Sequence, residues 1–386
     1  MGSGSTLPRC PRSGGERAGS EGTSPAAQVD FVVKERCIVG GNVTNCETAT
    51  PSSTTTGNWP DVPVDAICNS TSCSTALTSP TFFTRKRLAQ VNTKVKNTSG
   101  TYDAVDTWDL TQTWPSGSDT SSPAMWLGKI QQTGKGGTAI AMPALTFTPV
   151  VLDNRVATAG SGELYGKPRM SQITTETGGL IWVNYLPKEC SSSSPPTPET
   201  NTKRCFPSFF SETGATTPTL QWFHKYIVDS VVLQDTAQQT DPNPVNGLDL
   251  TSQVVTKYSY TGGGAWRYND SPLIKPKHRT WGEWRGYQTV TTIEGNAGFP
   301  QAVEETTYFR GMNGDRLNKD GGTKSVQVLG WNDDDELNGT VRRSRVLTGV
   351  GGSEVTTTTS DPYLGPITAN DGRKKARACL LYTSLS

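Results

Sequence analysis

The strongest constraint on this chain is a rhythm. From Thr81 onward, short segments of alternating apolar and polar residues are separated by turns rich in Gly and Asn. "RKRLAQVNTKVKN" (85–97), "YDAVDTWDLTQTWP" (102–115), "PALTFTPVVLDNRV" (143–156), "SQVVTKYSY" (252–260), "RGYQTVTTIE" (285–294) and "GTVRRSRVLTG" (339–349) are examples. Period two marks a half-buried strand, because successive side chains leave opposite faces. Between the segments stand "TGKGG", "TGG", "TGGG", "NGD", "DGG" and "GVGG". Gly and Asn tolerate positive φ, so these read as hairpin reversals. No connection carries a helical period long enough for the crossovers that parallel pairing needs. Neighbouring strands should therefore pair antiparallel, hairpin after hairpin. An open sheet of more than about ten twisted strands must coil, close or split. The expected fold class is all-β: a large antiparallel, hairpin-connected curved sheet, a β-shell or propeller-like module, with disordered termini.

Composition agrees with a wide β-sheet that has one wet face better than with a compact helical enzyme. Only 33% of the 386 residues are apolar, while ten Trp and eleven Tyr supply large contact surfaces. Thr is abundant, and its β-branch packs well on a pleated surface. The net charge of +1, from 36 basic and 35 acidic residues, gives no broad field for nucleic acid or for an anionic membrane. No window is apolar for ~18 residues, so no membrane span is expected. Residues 1–30 read as a disordered tail that need not belong to the domain, with no apolar leader region in it. Residues 31–80 read as a Cys-containing, loop-rich lead-in, 81–365 as the antiparallel β domain, and 366–386, with its basic run and "CLLYTSLS", as a second disordered tail. Both ends suggest a fragment of something longer.

Eight cysteines are present, two of them, Cys10 and Cys379, in the tails. The other six fall into near neighbours: Cys37 with Cys46, Cys68 with Cys73, and Cys190 with Cys205. Zinc fits poorly, since the chain has no C-x-x-C and only two His. Free thiols remain an alternative, but three local disulfides suit an exported protein best. The polar, Pro-rich "CSSSSPPTPETNTKRC" (190–205) has little to pack with, so a cross-link at its base would hold it.

One hairpin carries more than its strands. "KPRMSQITTETGGLIWVNYLP" (167–187) is a strand, a reversal at Gly178-Gly179 and a second strand; Tyr165-Gly166 precede it and Tyr185 nearly closes it. The set Tyr165, Gly166, Gly178, Gly179, Tyr185 resembles one degenerate copy of the YD repeat of RHS proteins, without the Asp after Tyr165 and with Lys167-Pro168-Arg169-Met170 where Gly-Arg-Leu is usual. "FFTRKRLAQVNTKV", "LDNRV", "WFHKYIV", "RTWGEWRGY" and "YFRGMNGDRL" are similar, in that order, to the segment before the main repeat array of exported, polymorphic-toxin RHS proteins of bacteria, over roughly residues 60 to 365. The resemblance implies a β-strip that walls off a C-terminal toxin domain, as in toxin-complex cocoons and the teneurin barrel. It also implies partners in the rest of the same chain and its enclosed toxin domain. The implied location is secreted, or associated with the cell surface or cell wall. No catalytic, cofactor or metal residue follows from it.

A few other residues have side chains suited to chemistry. His224 and His278 have no nucleophile or metal motif beside them, neither G-x-S-x-G nor H-E-x-x-H, and read as structural; His278 is expected to be exposed. Asp361-Pro362, with Gly365, reads as a Pro-bounded turn rather than a self-cleavage motif. Asp333, Asp334, Asp335 and Glu336 read as a solvated turn, with calcium the sharper alternative. Trp281, Trp284 and Tyr287 offer the alternative function, an extracellular adhesion or carbohydrate-binding module with a cell-surface glycan as partner. In an extended segment 281 and 287 share a face while 284 points the other way.

Overall fold

The computed structural model describes residues 25–64, 67, 71–72, 83–117, 119, 121–157, 162–212, 215, 217–235, 253–370, 375–377 and 380–385. The Cys68–Cys73 pairing lies outside the described residues. Among the described residues the regular elements are strands and short 3₁₀ turns, and the sheet pairing is antiparallel throughout. No helix there is long and apolar enough to cross a membrane. The protein is all-β, built on large antiparallel sheet. The chain forms two compact units: Ser24–Pro187 with Phe223–Val254, and Lys188–Trp222 with Val255–Ser386.

In the first unit the pairing follows the chain. Ala27–Glu35 pairs with Lys86–Lys96, then Tyr102–Thr113, Trp126–Gly134, Leu145–Leu152, Lys167–Thr174, Leu180–Tyr185 and Val228–Gln234 follow in turn. Every residue of Trp126–Gly134 and of Lys167–Thr174 is half-buried, on both faces. The expected contrast of one dry and one wet face is therefore muted in these strands. The fully packed apolar group lies instead under the loops, where Trp59, Val43, Val62 and Cys37 cluster beside the Cys37–Cys46 disulfide. Glu35, 3% exposed, closes this cluster against Lys86, Arg85 and the Trp59 indole N–H. Burial pushes its carboxyl up, but hydrogen bonds from Lys86 and Trp59 and the Arg85 charge hold it below the usual range.

In the second unit Gln253–Arg267, from Val255 on, pairs with Glu283–Glu294, followed by Ala302–Tyr308, Val341–Leu347, Glu354–Leu364 and Leu380–Leu385. Cross-strand pairs fix the register: Glu305 faces Arg345 in the ladder and accepts from its Nη2 at 2.7 Å. The "TGGG" expected as a turn lies inside Gln253–Arg267, at a register shift between Thr261 and Gly264. The reason is contact: a Cβ on Gly264 would sit 2.7 Å from the Trp284 ring, so only glycine admits this crossing.

Strand formation reaches further toward both ends than the sequence suggested. Ala27–Glu35 begins inside the expected tail, because "VDFVV" alternates in register with Phe31 opposite Val91 and Val33 opposite Leu88. Ile367–Asn370 pairs with Lys375–Arg377, and Leu380–Leu385 extends the ladder of Glu354–Leu364. An edge strand presents a row of unpaired backbone groups that a following segment can occupy. Asp361-Pro362 is thus strand, not turn, and Asp361 Oδ1 accepts from Arg342 Nη1 at 2.9 Å.

Candidate functional site

The hairpin at 167–187 forms as the sequence predicts. Thr174 pairs with Leu180 and Gln172 with Trp182; Gly178, at φ +90°, donates to Thr175 O at 3.0 Å to close the reversal. Tyr165 itself adopts φ +52°, a conformation that costs a non-glycine residue energy unless its surroundings impose it. They do so through Asp119, whose Oδ2 accepts the backbone N–H groups of Leu164 (2.6 Å) and Tyr165 (2.8 Å). Its Oδ1 accepts from the Ser121 hydroxyl at 2.6 Å. Burial pushes the Asp119 carboxyl up, but hydrogen bonds from Ser121 and from the Leu164 and Tyr165 backbone outweigh it and hold the group below the usual carboxylate range. Gly166 is small because its Cβ would meet Val151 at 3.0 Å. At the far end, Arg169 lies 4.4 Å over the Tyr226 ring and donates to Asn154 Oδ1. Burial raises the Tyr185 hydroxyl pKa, with Arg169 acting against it, and lowers that of Lys225, with Arg169 acting in the same sense. His224, 7% exposed, ends the strand Thr219–His224 and donates its backbone N–H to Asn154 O at 2.6 Å. Sequence reasoning supplied Tyr165, Gly166, Tyr185 and a structural His224, but not the groups that join them. Asp119 acts through backbone N–H groups, and Arg169 through a ring and a side-chain amide, that are distant in sequence, and no spacing signals that.

In the second unit, two sequence blocks converge. "YFRGMNGDRL" and "WNDDDELNG" bracket residues 309–340, between Ala302–Tyr308 and Val341–Leu347. Asp333 is fully buried. Its Oδ1 accepts from Arg310 N and Gly311 N, both at 2.7 Å, and its Oδ2 from Met312 N at 3.1 Å. Asp334 accepts from Asn313 Nδ2 at 2.7 Å, and Asp335 meets Arg285 Nη1 at 2.7 Å. The solvated-turn reading therefore fails for Asp333, which is a buried clamp, while Asp334, Asp335 and Glu336 are half-buried: successive backbone N–H groups around Gly311, at φ +67°, form a nest that the Asp333 carboxylate fills. Among the described residues no group of three or more His, Cys, Asp or Glu is placed to hold a metal ion. Phe309, Val328 and Leu337 pack beneath the clamp.

The aromatic set does not form a platform. Trp281 is 3% exposed, lies edge-on to Tyr268 at 5.0 Å and donates its indole N–H to Arg316 O at 3.3 Å. A bulge with Gly286 at φ +79° breaks the alternation, so Trp284 and Tyr287 meet at 5.6 Å instead of parting. Trp284 also packs on Trp266 at 4.7 Å, Trp266 on Phe206 at 5.1 Å, and Tyr287 on Tyr260 at 5.0 Å. These rings form a packed ladder with no free face on Trp281 for a sugar. His278, expected to be exposed, is half-buried and stacked on Phe209 at 4.9 Å. The disulfide Cys190–Cys205 forms beside the ladder, with Cα atoms 6.2 Å apart. Its loop is well held: Thr202 O accepts from Gly264 N and Lys203 O from the Trp266 indole, each at 2.8 Å. Asn201 bonds back to Cys205 O at 2.6 Å.

No protein-family model matches this chain, and no curated protein matches it. A crystal structure of TcdB2-TccC3 is similar to it with a TM-score of 0.37 at 10% sequence identity, over 95% of this chain and 32% of that one. The chain spans about a third of the length of that chain.

Proposed function

We propose that this chain is a wall segment of an RHS-type β-shell, in an exported protein whose C-terminal toxin domain the shell encloses or presents. The observation that carries the reading is the evenness of burial across strands such as Trp126–Gly134 and Lys167–Thr174, half-buried on both faces. A sheet that serves as the floor of a packed core buries one face deeply; a single-layer wall does not. The order of the RHS-like blocks and the Tyr165–Tyr185 hairpin add support, and the two disulfides suit an oxidising compartment. In this reading the segment is a scaffold without catalytic chemistry of its own, and its partners are the rest of the same chain and the enclosed domain. The test is limited proteolysis of the parent chain with its downstream domain attached. That domain should resist cleavage while the wall is folded and be cut at once when Asp333→Ala loosens it. Equal cleavage in both would overturn the reading.

A further inference from the structure

A groove of about 360 Å³ lies in the second unit, between the end of Gln253–Arg267, the turn around Pro276–His278 and the small hairpin Arg316–Asn318/Gly321–Thr323. Arg267, Arg279 and Arg316 line it, with Tyr268 and Asp270. The three arginines are not equivalent. Arg267 is committed to the fold, donating to Gly311 O and Asn313 O. Arg279 uses only Nε internally, donating to Ile274 O at 3.0 Å. Arg316 lies 4.8 Å over the Tyr268 ring, which holds its guanidinium in place by cation–π attraction without neutralising it. Among the described residues no carboxylate stands at salt-bridge distance from Arg279 or Arg316, whereas Asp315 is already matched by Lys324 at 2.9 Å.

We propose that this groove binds the carboxylate side chain of an acidic peptide segment. Two guanidinium forks can take a carboxylate in bidentate fashion. The charge balance limits the guest: with the ion pairs they join, Arg267, Arg279, Arg285, Arg316 and Lys324 stand against Asp270, Glu283, Asp315 and Asp335, an excess of a single positive charge. That suits a monoanion, not the dianion of a phosphate ester. The volume lies at the small end of ligand sites, large enough for one side chain and its backbone. A sugar acid is disfavoured because the aromatic ring in the groove, Tyr268, is covered by Arg316 on its face and by Trp281 at 5.0 Å. The inference does not depend on what the chain encloses.

The test uses a fluorescent peptide of alternating Gly and Glu, its Gln counterpart and a galacturonate oligomer, with binding read by anisotropy at low and high salt. The Glu peptide should bind the intact chain, lose affinity in high salt and bind the double variant Arg279→Gln/Arg316→Gln about tenfold more weakly, with the variant still melting cooperatively. Equal binding of the Gln peptide, tighter binding of the galacturonate oligomer, or undiminished binding by the variant overturns the proposal. Should the variant not fold, arginine-specific modification of the intact chain decides. The Glu peptide should shield Arg279 and Arg316, and modification unchanged by the peptide would count against the site.

Discussion

A carboxylate with no exposed surface needs hydrogen-bond donors from the protein in place of water, and Asp333 finds three in consecutive backbone N–H groups. Asp333→Ala would strand these donors at about 1–3 kcal/mol each. The expected loss is about 3–5 kcal/mol, read as a lower denaturant midpoint. Asp334→Ala, which removes one bond to Asn313, should cost about 1 kcal/mol; equal effects from the two would refute the clamp. Asp119 gives a pH-dependent counterpart. Its folded pKa is depressed, so its contribution is complete above the ordinary carboxylate value and fades as pH falls through the folded one. Asp119→Asn should melt below the parent chain at pH 7, with the gap narrowing below about pH 4. A gap that stays constant to pH 2 would refute the assignment. Neither carboxylate was legible as a clamp, because the sequence shows charge but not the distant backbone that receives it. The glycines of the Tyr165–Tyr185 hairpin were legible because a reversal depends on nearest neighbours.

At the scale of elements, strands and their hairpins followed from alternation and turn chemistry wherever a register was regular. They failed where it slips. Gly286 and the Gly262–Gly264 run insert bulges, and a bulge moves side chains to the other face; this is why Trp284 joined Tyr287. Cysteine spacing identified Cys37–Cys46 and Cys190–Cys205 correctly, since short loops leave few other partners. The second bridge closes a span of 15 residues. Its removal by Cys190→Ser/Cys205→Ser should cost roughly 3 kcal/mol. Because Lys203 O receives the Trp266 indole N–H, the same change should shift tryptophan emission to the red. A variant that loses stability without that shift would show the loop to be independent of the ring ladder.

On the scale of the whole molecule, a sheet half-wet on both faces stays soluble only if its edges are managed. Ala27–Glu35 is the terminal strand of its array among the described residues, and Val29, Phe31 and Val33 are each more than half exposed. Exposed apolar edges recruit further strands. The isolated chain should therefore self-associate with rising concentration, and Phe31→Lys should reduce this in sedimentation; association unchanged by Phe31→Lys would place the contact elsewhere. In the second unit the span 309–340 has a different bearing on its own sheet. Tyr308 faces Val341 across the ladder, and directly beyond them Phe309 N meets Thr340 O and Gly339 N meets Phe309 O, both at 2.9 Å. The neck is sealed before the excursion begins, so its length is invisible to the strands on either side. Such a junction tolerates added residues at the outer tip, 318–320, with the surrounding ladder left in step, while the bonds from Arg267 to Gly311 O, Arg285 to Asp335 and Trp281 to Arg316 O fasten the base of the excursion.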